Sequence, residues 1–274
     1  MIHWFPGHMH KEMKSLKRTF PNFDIAIEVV DSRAPSTTIN PVLHQIANKI
    51  PVIKVLSKKD LADPLITKEW LTFYKGKAIA INIHCPRAFS NTLFRLCIKL
   101  YHKSYQRRFN ILKPINLVVI GLPNVGKSTL VNVLANRKIT ETGNEPAVTK
   151  RQQKIEVNKG FYLYDTPGIM FPSPRFDSCG YKLAIVGTIK DTAMDYISAT
   201  SFLIEYMKKF YPFFLKKLFK TDDLDVSNDI LLERISQYTG KKNIHNVSEN
   251  IIHNFRRGRI GRISLERPSE LPFK

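Results

Sequence analysis

The fold of this chain is decided by residues 121–128, which read Gly-Leu-Pro-Asn-Val-Gly-Lys-Ser. A short apolar run, residues 115–120, precedes them and is typical of a buried parallel strand. Leu130, Val133 and Leu134 follow at helical spacing. A glycine-rich loop that joins a strand to a helix and ends in Gly-Lys-Ser is the context in which such loops bind phosphate groups. The sequence therefore predicts a phosphate-binding loop, with an ordinary glycine turn as the alternative interpretation.

The parts of this loop have separate expected roles. Gly121 and Gly126 allow a tight turn that points successive backbone N–H groups inward, and the start of the next helix adds a favourable dipole. We expect Lys127 to bind the outer phosphates and the Ser128 hydroxyl to coordinate Mg²⁺. The predicted phosphate-binding residues of the loop are Asn124, Val125, Gly126, Lys127, Ser128 and Thr129.

The composition is that of a chain with a real core and a strong positive charge. Its 274 residues are 43% hydrophobic and carry a formal net charge of +20. Such a charge favours polyanionic partners, although an AT-rich genome alone also enriches lysine. No apolar run approaches the roughly 18 residues of a membrane helix, and the first residues lack the apolar region of a signal peptide. Three cysteines without paired spacing predict a reducing, cytoplasmic location.

Apolar strand patterns alternate with helical patterns over the first two thirds of the chain. The predicted strands are residues 25–30, 52–56, 78–81, 115–120 and 161–164. This alternation predicts an α/β fold with a doubly wound, mostly parallel sheet. Beyond about residue 180 only helical patterns recur. We therefore expect an α/β domain over residues 1–180 and a small, mainly helical domain over residues 181–274.

An acidic motif follows the strand predicted at residues 161–164. Residues 165–168 read Asp-Thr-Pro-Gly, about forty residues after the loop lysine. Phosphoryl-transfer enzymes place a Mg²⁺-supporting carboxylate in this position. We expect Asp165 to support Mg²⁺ and the backbone N–H of Gly168 to approach the terminal phosphate.

A candidate purine selector follows the strand predicted at residues 52–56. Residues 57–60 read Ser-Lys-Lys-Asp. The Asp60 carboxylate can accept two hydrogen bonds from the amide-like edge of guanine, whereas adenine offers no such pair of donors and would leave the charge unpaired. Lys58 can lay its alkyl stem along the base. Alone, such a string is usually a solvated turn; at a strand end beside a phosphate loop it predicts guanine binding by Ser57, Lys58 and Asp60.

The selector precedes the phosphate loop by about sixty residues, whereas ordinary GTPases have the opposite order. Four further stretches are distinctive: His-Trp-Phe-Pro-Gly-His-Met at residues 3–9, Asp-Ser-Arg-Ala-Pro at 31–35, Leu-Ala-Ile-Val-Gly-Thr-Ile-Lys-Asp at 183–191 and Gly-Arg-Ile-Ser at 261–264. With this order, the chain resembles the circularly permuted GTPases. Among them it resembles the ribosome biogenesis GTPase A family (YlqF/RbgA-like, related to the mitochondrial ribosome-associated GTPase), over nearly its whole length.

Three positions depart from the pattern of that family. Ser57 replaces the usual Asn of the selector, Ser32 replaces an Ala, and Ala147 stands where a Gly usually precedes the switch threonine, here Thr149. None of these changes removes an essential charge. We therefore expect an altered nucleotide affinity rather than an inactive enzyme.

The resemblance implies a circularly permuted P-loop GTPase that acts in late maturation of the large ribosomal subunit. Such a protein binds the pre-ribosomal particle with GTP and leaves after hydrolysis. The resemblance implies Mg²⁺ held by Ser128, Thr149 and Asp165, and K⁺ bound near Asn124. The expected partners are GTP or GDP and the large-subunit precursor, with no membrane, and the protein is expected to be a monomer away from the ribosome.

Two alternatives to this function remain open. A GTPase of the same fold could serve the small subunit or tRNA, although the opening motif at residues 3–9 argues against it. A non-catalytic RNA-binding protein could use GTP only as a structural ligand.

Water activation is the least conventional part of the expected chemistry. Many GTPases orient the attacking water with a glutamine just after Asp-x-x-Gly, but this chain has Ile169 there. His8, in the opening motif, is the candidate catalytic residue beside Lys127, because an imidazole can orient water near neutral pH. Packing of His8 against the sheet is the alternative.

The C-terminal region ends in an arginine-rich segment. In this segment Arg256, Arg257, Arg259 and Arg262 are predicted to contact rRNA phosphates. Ordinary solvated surface charge is the alternative interpretation.

Overall fold

The computed structural model describes residues 7–47, 49–81, 86–106, 113–137, 139, 153–170, 177–189, 191–239 and 243–271. A six-stranded sheet forms the centre of this part of the chain. Its strands are β1 (Ile25–Asp31), β2 (Val52–Ser57), β3 (Ala78–Ala80), β4 (Ile115–Ile120), β5 (Gln153–Asn158) and β6 (Phe161–Asp165). The strand order is β3-β2-β1-β4-β6-β5, and every neighbouring pair is parallel except β5 and β6. The mostly parallel sheet predicted from the sequence is confirmed.

Helices cover both faces of this sheet. Those of the first part of the chain are α1 (Gly7–Thr19), α2 (Pro41–Ala47), α3 (Pro64–Phe73), α4 (Pro86–Tyr105) and α5 (Lys127–Ala135). Alternate residues of β1 face opposite layers, as the twofold repeat of a strand requires. Ile25 and Ile27 join the large core cluster with α4 and α5, whereas Ala26 packs in a second cluster with Leu16 of α1 and Leu43 of α2.

Helices alone follow β6 in the described residues. They are α6 (Asp177–Val186), α7 (Tyr196–Phe210), α8 (Pro212–Phe219), α9 (Asn228–Thr239) and α10 (Ile244–Arg256), with short 3-10 turns between some of them. The sequence predicts that Pro212 interrupts or kinks the apolar helical pattern of residues 203–214, and in the structure α7 ends at Phe210 and α8 begins at Pro212. The first helical position tolerates proline because its backbone N–H has no intrahelical partner.

The helical region and the sheet share one continuous core. Leu203 and Ile252 belong to the same buried cluster as Leu117 and Leu163, and α6 runs across position 180. The division into domains 1–180 and 181–274 stays a prediction. Among the described residues, no helix is long and apolar enough to cross a membrane.

Two elements differ from the sequence interpretation. The edge strand β5 was not predicted, because Lys154 and Glu156 give it a polar face that is typical of protected sheet edges. Because the apolar helical stripe starts only at Met9, the sequence predicts no regular element for most of the motif at residues 3–9, but α1 begins at Gly7. His8 is therefore part of the first helical turn.

Candidate nucleotide site

The predicted phosphate loop occupies the connection between β4 and α5. Gly121 and Gly126 have backbone φ angles of 152° and 100°, and Asn124 has a φ of 58°. These left-handed conformations produce the compact turn that the sequence predicted. Gly126 immediately precedes α5, so the loop ends at the N-terminus of a helix, where the backbone N–H groups favour an anion.

Lys127 lies inside this turn. Its side chain is buried, and its Nζ atom donates a hydrogen bond to the Leu122 carbonyl at 2.7 Å. Burial lowers the pKa of Lys127 to about 8, although the charge of Asp165 opposes the shift. The hydrogen-bond acceptor of the ammonium group is therefore a neutral carbonyl. A charged phosphate oxygen would be a stronger acceptor.

Asp165 ends β6 beside the phosphate loop. It is fully buried, and its position in the sheet pairs with Val119 of β4. Thr166 then donates from its hydroxyl to the Val119 carbonyl at 2.5 Å, which fixes the start of the loop after β6. The carboxylate of Asp165 and the hydroxyl of Ser128, at the start of α5, are hard oxygen donors of the kind Mg²⁺ prefers. Thr149, the third predicted Mg²⁺ residue, lies outside the described residues.

Gly168 brings the segment after β6 against the phosphate loop. A Cβ atom at this position would lie 2.8 Å from Pro123 Cα and 3.0 Å from Lys127 Nζ. Only glycine permits this approach without movement of the loop backbone. The structure thus places Gly168 close to Lys127, and the predicted approach of its N–H to the terminal phosphate stays a prediction.

Ile169 faces away from the phosphate loop. It is buried in the cluster that contains Leu16 and Phe20 of the N-terminal segment, and its carbonyl accepts a 2.6 Å hydrogen bond from the Asn40 side chain. The residue after Asp-x-x-Gly therefore anchors this segment to the core beneath α1. Its side chain cannot orient water, as expected.

We call residues 57–63, which follow β2, the selector loop. Ser57 joins it to the phosphate loop, because its hydroxyl contacts the carbonyl of Val125 and lies 3.0 Å from the carbonyl of Val30. The single hydroxyl proton can be donated to one of the two at a time. The Ser57 side chain therefore connects the selector loop to the phosphate loop. Asp60 of the selector loop is exposed.

A buried charge network that the sequence analysis did not assign lies behind the selector loop. Arg33 forms a bidentate pair with Asp31, with distances of 2.9 and 2.7 Å, and both side chains are buried. Lys58 Nζ lies 3.0 Å from Oδ2 of the same Asp31 carboxylate. Burial raises the pKa of Asp31, but Arg33 and Lys58 outweigh it and hold that pKa well below its usual range. Lys58 is thus fixed at its tip.

The same network reaches the helical region. Arg33 donates to the Val186 carbonyl at 3.2 Å, and its guanidinium lies 5.2 Å from the ring centre of Phe255. In the phosphate loop, the side-chain amide of Asn124 donates to the Gly187 carbonyl at 2.9 Å. The loop after β1 and the phosphate loop therefore both contact the C-terminal end of α6.

The four predicted RNA-contacting arginines differ in their contacts within the protein. Arg257, Arg259 and Arg262 are exposed, whereas Arg256 is half-buried. The Arg256 guanidinium instead donates to the carbonyls of Ala184 and Ile185 and pairs with Asp191 at 2.8 Å, and Arg262 donates to carbonyls of the selector loop. Arg256 and Arg262 therefore have structural partners that a charge run does not reveal. The His8 side chain lies outside the described part of the chain, so its catalytic role stays a prediction.

Comparison with known proteins identifies the family and the fold of the chain. Residues 116–211 match the family described as "50S ribosome-binding GTPase". The chain is 32% identical to "Ribosome biogenesis GTPase A" of Bacillus cereus over 98% of this chain and 95% of that protein. It is 34% identical to the protein of the same name from Priestia megaterium, with 98% of each chain covered. The solved structure of GNP-bound YlqF from T. maritima has a TM-score of 0.69 at 21% identity, covering 95% of this chain and 100% of that one.

Proposed function

Because the chain belongs to the ribosome biogenesis GTPase A family and is a GTPase, we propose that it acts in late maturation of the large ribosomal subunit. It binds the pre-ribosomal particle with GTP and is released after hydrolysis. The observation that supports this proposal best is the contact between phosphate loop and selector loop at Ser57, because it brings together the two motifs that are proposed to bind one guanine nucleotide. The net charge of +20 supports an RNA-rich partner.

In the proposed complex the nucleotide phosphates lie in the phosphate loop. Lys127 exchanges the Leu122 carbonyl for a phosphate oxygen, and the backbone N–H groups of residues 124–129 stabilise the charge that develops during transfer. Mg²⁺ is the cofactor that neutralises the phosphates, and Ser128, Asp165 and Thr149 would hold it directly or through water. The Gly168 N–H would approach the terminal phosphate, which the closeness of Gly168 to Pro123 of the phosphate loop supports.

Guanine selection is proposed for Asp60, with Ser57 and Lys58 in support. The Lys58 ammonium is tethered to Asp31, so its alkyl stem is held in place beside the base. Replacing Asp60 by Asn should shift the preference towards xanthine nucleotides, because the asparagine amide donates where the carboxylate accepted. Wild-type protein that binds ATP as tightly as GTP in competition would contradict this role.

A K⁺ ion near the phosphates is proposed at Asn124. The contact to Gly187 uses the nitrogen of the amide, and a cation would use the oxygen. If K⁺ binds there, GTP turnover should be faster in KCl than in NaCl at equal ionic strength. Asn124→Ala should remove that difference.

Water activation is proposed for His8. Leu16 packs in the same cluster as Ile169, and His8 lies eight residues earlier in the same helix, about 12 Å along its axis. The helix is therefore attached to the segment that carries Gly168, and a bound particle that repositions its first turn would bring the imidazole towards the phosphates. His8→Ala should bind GTP normally and lose most of the particle-stimulated turnover.

The remaining features of the proposal concern the partner and the location. Arg256, Arg257, Arg259 and Arg262 are the arginines proposed to contact rRNA phosphates, and Arg257, Arg259 and Arg262 are exposed. The protein is proposed to be a cytoplasmic monomer when it is not bound to the particle.

The deciding experiment is co-sedimentation with separated subunit precursors in the presence of a non-hydrolysable GTP analogue. We expect retention with large-subunit particles and release when GTP is supplied. Retention only with small subunits or tRNA would contradict the proposed target. If none of the particles supports multiple turnover of GTP, the proposed catalysis on the ribosome is contradicted. Lys127→Ala, which removes the phosphate-binding ammonium, is the matched inactive control.

A further inference from the structure

The chain returns to the candidate nucleotide site after its last helix. We call residues 257–266 the C-terminal strap. Its backbone N–H groups at Ile263 and Leu265 donate to the carbonyls of Leu61, at 3.2 Å, and Arg33, at 2.6 Å. In the opposite direction, the Asp63 N–H donates to the Ser264 hydroxyl at 3.1 Å. The strap therefore runs along the selector loop.

The two segments touch closely at Leu61. A Cβ atom on Gly258 would lie 2.8 Å from the Leu61 side chain. Further along the chain, the Glu266 carboxylate accepts from the backbone N–H groups of Ser36, at 2.8 Å, and Thr37, at 3.2 Å. The strap is thus fixed on both sides of the selector loop and has little freedom to slide.

Arg262 makes the contact that bears most directly on guanine recognition. Its Nε atom donates to the Ala62 carbonyl at 3.1 Å, and one Nη atom donates to the Lys59 carbonyl at 2.9 Å. These two carbonyls flank the turn that presents Asp60. The planar guanidinium holds both acceptors in a fixed relation, which the single ammonium of lysine does not do.

We propose that Arg262 is a positioning residue for guanine binding: it fixes the backbone of the selector loop so that Asp60 faces the base. The inference rests on the proposed role of Asp60. Arg262 contacts the backbone of the selector loop, so its loss should weaken nucleotide binding without slowing hydrolysis of bound GTP.

The test measures dissociation constants for GDP and IDP. The base of IDP lacks the 2-amino group of guanine, which is one of the two donors proposed to bind Asp60, and keeps the ring N1–H. Arg262→Ala should weaken GDP binding about tenfold and IDP binding about threefold. A displaced Asp60 loses two hydrogen bonds to the base of GDP but only one to the base of IDP. Arg262→Lys, which keeps charge and bulk, should resemble Arg262→Ala. The value of kcat at saturating GTP should stay at the wild-type level.

Arg259→Ala is the matched control, because Arg259 is exposed in the same strap. Unchanged GDP binding in both Arg262 variants would overturn the inference, as would equal losses in the Arg259 and Arg262 variants. An equal weakening of GDP and IDP would also overturn it, because that result indicates a general structural effect. Asp60→Asn is measured in parallel: if it fails to favour xanthine nucleotides, the proposed selector itself is wrong, whatever Arg262 does.

Discussion

Raising the pH is expected to weaken nucleotide binding through Lys127. Burial lowers its pKa from 10.5 to about 8, with Asp165 opposing the shift, and phosphate groups bind the ammonium form. One pH unit above the pKa, about nine tenths of the nucleotide-free sites have lost this proton, so GDP affinity should fall about tenfold per unit above about pH 8, or ~1.4 kcal/mol. Below that pH the affinity should be flat.

The same proton has the opposite effect on folding. The unfolded lysine keeps its proton up to about pH 10.5, while the folded one releases it near pH 8. Between these values the unfolded state binds more protons, so Lys127 makes the free energy of unfolding of the nucleotide-free protein rise with pH. Below about pH 8 both states are protonated and the burial penalty is present in full. Nucleotide binding and stability should thus change in opposite directions in this window.

Calorimetric titration with GDP at about pH 8.5, in two buffers of different ionisation enthalpy, measures the proton taken up on binding. Lys127→Arg is the matched control, because arginine stays charged throughout this range. Titration of the guanine base itself affects both proteins equally and cancels in their ratio. An affinity ratio that stays constant up to about pH 9, with no proton uptake in the wild type, would refute the reasoning.

Four other changes test separate parts of the structure. Arg33→Ala leaves a buried carboxylate without its bidentate partner and should cost about 3–5 kcal/mol in urea unfolding, unlike the same change at exposed Arg259. Gly168→Ala forces a methyl group against the phosphate loop and should lower GTP turnover about hundredfold with the fold retained by circular dichroism. Ser57→Ala removes the hydroxyl between the two loops and should weaken GDP binding by about 1 kcal/mol in fluorescence titration. The double change Arg257→Ala with Arg259→Ala should flatten the salt dependence of particle binding, with unchanged intrinsic hydrolysis; an unchanged salt slope would contradict the RNA role.

The parts of the site that sequence patterns predicted are those made by neighbouring residues. The loop at residues 121–128 carries its own turn residues. The strands β2, β4 and β6, which lead into the three motifs, belong to the parallel part of the sheet, with β1 between β2 and β4. Because the carboxyl ends of parallel strands meet at one edge, three local motifs were enough to predict one site.

The parts that sequence patterns missed depend on contacts between distant residues. Arg33 and Val186 are 153 positions apart, and Arg262 and Lys59 are 203 apart. An arginine in a basic run is usually solvated, and no local pattern distinguishes one that donates to backbone carbonyls across the fold. The charge run therefore predicted one role for four arginines, two of which have internal partners.

The contacts at the C-terminal end of α6 give the permuted order a mechanical meaning. The last carbonyls of a helix lack intrahelical partners and carry partial negative charge. Here they accept from Arg33 and Arg256, and the adjacent Gly187 carbonyl accepts from Asn124. The loop after β1, the phosphate loop and the last helix thus meet at one helix end. We propose that a nucleotide that repositions Asn124 would change one of these contacts directly and would reach the helical region through the others.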